Sequence, residues 1–402
     1  MKNILELFKK KKEPEGDVDR SDKEYSDKLK KHKFDKLKRN LIIAAAIVVV
    51  GTAVYLYVDN RSFSGYEKTQ NLQTGDTTQF KLYEYGDYYL KYSDDGLACM
   101  NGGDVVWNQG FEMKQPIIDI CKDYVAIAQQ RSNDIYIFDR TGLQGKVKTS
   151  YPVLSVHVAN QGVVAAITED GDLNHIELID KSGNLLAMGQ TVLSGDGCPI
   201  SMDLSQDGTK LVVSYLFVSG GVTQTRVVFY NYSEVGKNEV DRVVGGFNQY
   251  KTTIVPKVAF ITNDIAVAFG DDMLTIYTIK QKPSIVKEYK LERQVKSIVY
   301  NEEYIGLVYE GENIDDESTI CIYDLDGDII YDGAVGLDYN NIKLDGDNLL
   351  IYNNDTFMVK TVKGRIKYEG TIEGGIKDII GLNGGYTYLL ISNESIDKIK
   401  LK

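Results

Sequence analysis

The chain has 402 residues, 43% of them hydrophobic, and a formal net charge of −12. That is enough for a sizeable core, and its length fits one large β domain with appendages or two to three smaller domains. Charge is unevenly spread: residues 1–40 hold 14 Lys/Arg against 9 Asp/Glu, while residues 41–402 hold 32 against 49. So acidic a main body repels phosphate, which argues against nucleic acid as a partner, and four cysteines without a C-x-x-C spacing exclude a disulfide-dense scaffold.

In chain order, residues 1–40 read as a basic cytoplasmic tail. Ile4, Leu5, Leu7 and Phe8 followed by Lys9–Lys12 could lie on an inner leaflet, but a solvated tail is the preferred reading. Leu41–Val58 then runs 18 residues without a charge. As a helix this is roughly 27 Å, enough to cross a bilayer core. Residues 21–40 carry eight Lys/Arg and residues 59–78 carry two, so the positive-inside rule leaves the N-terminus in the cytoplasm. Forty polar residues ahead of the apolar run are too many for a cleaved signal peptide. The expectation is one transmembrane helix over 41–58 at the cell membrane, with residues 59–402 extracytoplasmic.

From residue 66 onward the pattern is all-β: short apolar-alternating runs separated by turn dipeptides such as Asp95-Gly96, Asp170-Gly171 and Asp345-Gly346. A repeat is visible in residues 135–142 (IYIFDRTG), 176–183 (IELIDKSG) and 320–327 (ICIYDLDG). Each is a strand, an Asp that can accept turn hydrogen bonds, and a Gly suited to positive φ. An aromatic falls four residues after the turn glycine in Gly103/Trp107, Gly327/Tyr331 and Gly364/Tyr368. The turns at 103, 142, 183, 236, 281, 327 and 364 are spaced by 37 to 53 residues, the period of a four-stranded propeller blade. An eighth unit from Ile376 has three strands, and residues 66–72 can supply the fourth. The expectation is a β-propeller of about eight four-stranded blades, with seven as the alternative.

The Asp-to-Gly turn followed by an aromatic resembles the repeat of the eight-bladed quinoprotein-like propellers, which use that aromatic to dock one blade on the next. The match is partial, because Asp139–Gly142 and Asp180–Gly183 lack the aromatic while Trp107 and Tyr368 lack the Asp. As a whole the chain is similar to an uncharacterised family of membrane-anchored propellers from Gram-positive bacteria. That resemblance implies a fold and a location and no activity.

No hydrolase, metalloprotease or cofactor motif accompanies the three histidines. His157, expected on an inner strand, and His175, near a hairpin, read as satisfied or solvated side chains. Asp324, Asp326 and Asp328 open like a calcium loop, but Ile329 stands where that loop needs Gly. No catalytic residue, cofactor or metal site is expected. Two hairpins exceed the minimal turn: 217–225 in blade four, with Phe217 and Gln224, and 310–318 in blade six, with Glu310, Glu312, Asp315, Asp316 and Glu317. Such excess is where repeat proteins carry binding. The favoured function is a non-enzymatic binding or scaffold module whose partner is an envelope protein or wall polymer. The alternatives are an extracellular ligand sensor relaying to a cytoplasmic partner, and an envelope hydrolase or dehydrogenase.

Overall fold

The computed structural model describes residues 20–74, 77, 79–93, 95–113, 115–311, 313, 316–382 and 385–402, with the backbone alone at 20–24, 26–30, 54–59 and 74. The tail segment 4–12 lies outside these residues. The chain forms two units, one ending at Arg61 and one spanning Ser62–Lys402. In the first, helix α1 runs from Arg20 to Asn60. Among the described residues no helix is long and apolar enough to cross a membrane. The uncharged run 41–58 lies within α1, and the side chains of its last five residues are outside the description.

The second unit is built from eight four-stranded antiparallel sheets. Blades one to seven cover residues 81–110, 116–148, 153–192, 198–247, 257–290, 295–334 and 341–371 in unbroken order. The first strands of blades two and three, three and four, four and five, six and seven, and eight and one adjoin. First strands therefore line a central axis and fourth strands form the rim. Because successive strands alternate direction, first-to-second and third-to-fourth turns share one face. The second-to-third hairpins and the connections between blades share the other.

Blade eight closes the ring as the sequence suggested. Its order is Tyr66–Thr74, Ser395–Leu401, Thr387–Ile391, Asp378–Leu382, so a strand preceding blade one completes the last blade. Ile396, Ile399 and Leu401 are buried. At the seam Asp397 accepts from Lys68 Nζ (2.9 Å) and Asn71 Nδ2 (2.7 Å). Burial works against the Asp397 carboxylate, but these donors and Ser395 outweigh it and hold its pKa below the usual range. Closure removes edges that would otherwise template pairing with other chains.

The core is divided into clusters, most of which join neighbouring sheets. One packs Ile176 and Leu178 of blade three against Val213, Val228 and Tyr230 of blade four. The rim aromatics seat on the next blade's turn. Trp107 of blade one stacks on Phe138 of blade two at 5.0 Å and 9°, beside Gly142. Tyr289 of blade five donates to the Gly327 carbonyl of blade six at 2.6 Å. Tyr331 of blade six covers Gly364 of blade seven so closely that a Cβ there would lie 2.1 Å from its ring, and Gly364 also has φ +85°. Glycine is required at that contact both for room and for backbone conformation. Trp107 is half-buried, because a rim strand keeps one face toward solvent.

Candidate functional site

The first strands bring ionisable side chains together along the axis. Asp119, His157 and Asp203 come from the inner strands of blades two, three and four, Pro116–Cys121, Val153–Val158 and Cys198–Leu204. His157 Nδ1 lies 3.1 Å from Asp203 and 3.4 Å from Asp119. The same carboxylates accept backbone N–H groups one blade further on: Asp119 from Val158 (2.8 Å) and Asp203 from Phe260 (2.6 Å). Burial alone would lower the His157 pKa, but the two carboxylates outweigh it and raise it to about 10. Burial works against the charged form of Asp119 too, yet the imidazolium and the Val158 N–H hold its pKa below the ordinary value. Lys257 and Tyr300, on the inner strands of blades five and six, continue the belt.

Further round the axis, Lys343 of blade seven pairs with Asp378 of blade eight at 2.5 Å. Glu84 of blade one has a raised pKa, first through burial and then through Asp345. First-to-second turns also meet across the axis: Glu302 of blade six lies 3.5 Å from Lys122 of the opposite blade two and accepts from Gln206 of blade four at 2.8 Å. These contacts bridge the channel mouth on that face.

Chemically the belt is a set of ties. An imidazolium with a pKa about 10 is no general base at neutral pH. Cys121, at the end of its strand, has its pKa raised to about 12 by burial first and then by Asp119 and Asp203, so it stays a thiol rather than a nucleophilic thiolate. Among the described residues no group of three or more His, Cys, Asp or Glu is arranged to hold a metal ion. The four cysteines are free. His157 is thus a satisfied inner-strand residue. His175 stacks on Tyr151 at 4.6 Å. Asp324 accepts the N–H groups of Asp326 and Asp328 in an ordinary turn.

The two long hairpins stand on the same face and differ in kind. In blade four the excess is strand. Lys210–Ser219 and Val222–Asn231 pair as far as Ser219 opposite Val222, and Phe217 lies opposite Gln224 within the ladder. The Phe217 ring carries the Arg226 guanidinium at 5.1 Å, so part of its apolar surface is spent inside the hairpin.

In blade six the excess is loop. Glu310, Asn313, Asp316 and Glu317 face Gly336–Asp338 and Lys296 across an open depression of about 770 Å³. Asn313 donates to Asp316 through its backbone N–H (2.9 Å) and Nδ2 (2.7 Å). Glu317 accepts the Gly336 N–H at 2.5 Å, tying the hairpin to the connection leading into blade seven. Lys296 lies over the Tyr339 ring at 4.8 Å. Among the described residues Glu310 and Asp338 take part in no ion pair. Glu312 and Asp315 lie outside the described residues. Sequence reading located this loop but missed Lys296 and Asp338, which reach the cleft from the preceding inner strand and the following connection. It also missed the belt, although Asp119 and Asp203 each follow a Pro-Ile pair at the head of their strands.

No curated protein is significantly similar to the chain. Many solved structures share its fold. Sqt1 from Chaetomium thermophilum superposes with a TM-score of 0.55 at 9% identity, covering 84% of this chain and 100% of that one. Hsv2 from Kluyveromyces lactis does so at 0.47 and 12%, covering 73% and 98%. At 9% identity the likeness to Sqt1 is one of fold alone. The sequence profile of a single family matches residues 59–401, which is the whole propeller, and the chain belongs to the Family of unknown function (DUF5711).

Proposed function

We propose that this protein is a membrane-tethered, extracytoplasmic propeller that binds an envelope partner without catalysis, and that the blade-six cleft receives a basic segment of that partner. The observation that carries the reading is the cleft itself. A loop longer than its turn requires bounds a depression of about 770 Å³ with four carboxylates, those of Glu310, Asp316, Glu317 and Asp338, against one ammonium, that of Lys296. Loops beyond the minimal turn carry binding in repeat folds, and a single-sign patch steers an oppositely charged partner. The blade-four hairpin projects from the same face and extends the surface available.

Tethering is supported by the 18-residue uncharged run at 41–58 and the eight-to-two asymmetry of basic residues around it. The family match begins at residue 59, directly after that run. Protease added to intact spheroplasts should digest the propeller and spare the tail; a protected C-terminus would overturn the topology. Cross-linking in native membranes followed by affinity capture should recover a partner that an E310Q/D316N/E317Q/D338N variant loses. Equal recovery by that variant would overturn the assignment of the cleft.

A further inference from the structure

The third-to-fourth connection of blade four is the outlier among the described blades. Its residues 232–242 span eleven positions where the other blades use two to five. It ends in a turn, Val240–Arg242, in which Asp241 (φ 51°) and Arg242 (φ 64°) both have left-handed backbones, a conformation that non-glycine residues adopt at a cost. That turn packs against the rim strand of blade three, Leu185–Val192. Between them lies a cavity of about 310 Å³, reached by Arg226, Asp196, Asp241, Tyr215, Tyr230 and Val228.

Arg226 is held but not satisfied there. One face of its guanidinium lies on Phe217. One terminal nitrogen is 3.5 Å from the Asp196 carbonyl. Its Nε is buried without an acceptor. A guanidinium offers five donors in a fixed fork that matches a carboxylate side-on, and a buried donor left unmade is costly. The two tyrosine hydroxyls beside it are engaged with each other at 2.7 Å. The Tyr230 hydroxyl is raised to about 12, first by burial, then by Asp196 and Asp241 and against Arg226. It therefore feels all three charged groups and remains a neutral phenol.

A simple anion would meet Arg226 and be repelled by two carboxylates. A simple cation would leave the Nε unsatisfied. One guanidinium and two carboxylates are complemented by one carboxylate and two ammonium groups. We propose that the cavity between blades three and four binds an α-amino acid with a cationic side chain, its carboxylate on Arg226, its α-ammonium at Asp196 and its side-chain ammonium at Asp241. Val228 and Ile176 supply apolar lining to the same cavity, suited to the methylene chain. The volume lies at the lower end of small-molecule sites, which suits a ligand of this size. This inference depends neither on the membrane tether nor on the blade-six cleft.

The test is calorimetric titration of the full chain with L-lysine, L-ornithine, L-leucine, propionate and pentane-1,5-diamine. L-lysine or L-ornithine should bind saturably and at least about tenfold more tightly than the other three, since L-leucine and the diamine each lack one of the three charges and propionate lacks two. R226Q should weaken that binding at least about tenfold. D241N alters an exposed residue and should leave the thermal transition unchanged, yet bring L-lysine down to the level of L-leucine. R226K, which keeps the charge but loses the fork, separates a folding defect from loss of the carboxylate contact: it should melt as wild type and bind weakly. No saturable heat from L-lysine or L-ornithine overturns the proposal. So does diamine binding equal to that of L-lysine, or wild-type binding by D241N.

Discussion

The Asp119–His157–Asp203 belt makes a prediction whose sign and size follow from the geometry. The imidazole pKa rises from its ordinary 6.5 to about 10 in the folded protein. A group whose folded pKa is raised contributes stability that is fully present below its unfolded pKa and lost as pH climbs through the folded one. The window here runs from about pH 6.5 to about pH 10. Each pH unit between the two values is worth about 1.4 kcal/mol, and part of this is shared with carboxylates that titrate together with the imidazole. The imidazolium therefore contributes on the order of 3–5 kcal/mol at pH 6 and little above pH 10. Replacing His157 with Gln retains a donor for one carboxylate but leaves two acids facing a neutral amide. Chemical denaturation of wild type and H157Q should show a gap of roughly 3–5 kcal/mol at pH 6 that shrinks to about 1 kcal/mol by pH 10.5. Lysines and tyrosines that also titrate at high pH are common to both proteins and cancel in the difference. A gap that stays constant from pH 6 to pH 10.5 would refute the charged belt and leave His157 as a packing residue.

Deleting residues 396–402 removes the third strand of blade eight, strands the Tyr66–Thr74 segment and breaks the Lys68–Asp397 tie; the whole propeller, not only its end, should then melt at lower temperature, and an unchanged transition would contradict closure at this seam. G364A places a methyl 2.1 Å from the Tyr331 ring at φ +85° and should cost about 2–4 kcal/mol; pairing it with Y331A should recover part of that loss, and strict additivity by denaturation would deny the contact. W107A should cost about 2–3 kcal/mol, less than for a fully buried tryptophan, and W107Y distinctly less; iodide should quench the native fluorescence partially, and complete quenching would exclude the stack on Phe138.

Blade-level architecture was legible because it is local. A strand, an Asp-to-Gly turn and a second strand recur within a short window, and alternation of apolar residues assigns their faces. The three-stranded remnant at the C-terminus pointed to closure by an N-terminal strand for the same reason. The belt was not legible, because its members are brought together only by the ring. Asp119, His157, Asp203, Lys257 and Tyr300 are separated by 38 to 54 residues, and none is unusual in its own strand. Asp119, His157 and Asp203 fall near one height, opposite Ala126, Ala165 and Val212 of their second strands, so for these three the repeat register rather than any motif would have been the signal. The blade-six loop was legible as surplus length, but its far wall was not, since Lys296 and Asp338 belong to neighbouring segments.

Blade four shows where reading by length stops. The spacing of 53 residues between the turns at 183 and 236 exceeds the period found elsewhere, so surplus chain is evident. Its placement is not. Part of it extends the hairpin strands to ten residues each on one face, and the chain just past Gly236 belongs to the connection 232–242 on the opposite face. Arg226 lies between the two, braced by Phe217 from the hairpin and walled by Asp241 from the connection. A length count treats these as one insertion, whereas a half-buried guanidinium whose Nε lacks an acceptor needs both sides to exist. The residue most informative about ligand chemistry is thus one that carries no motif, sits mid-strand, and acquires its meaning only from the two surplus segments that enclose it.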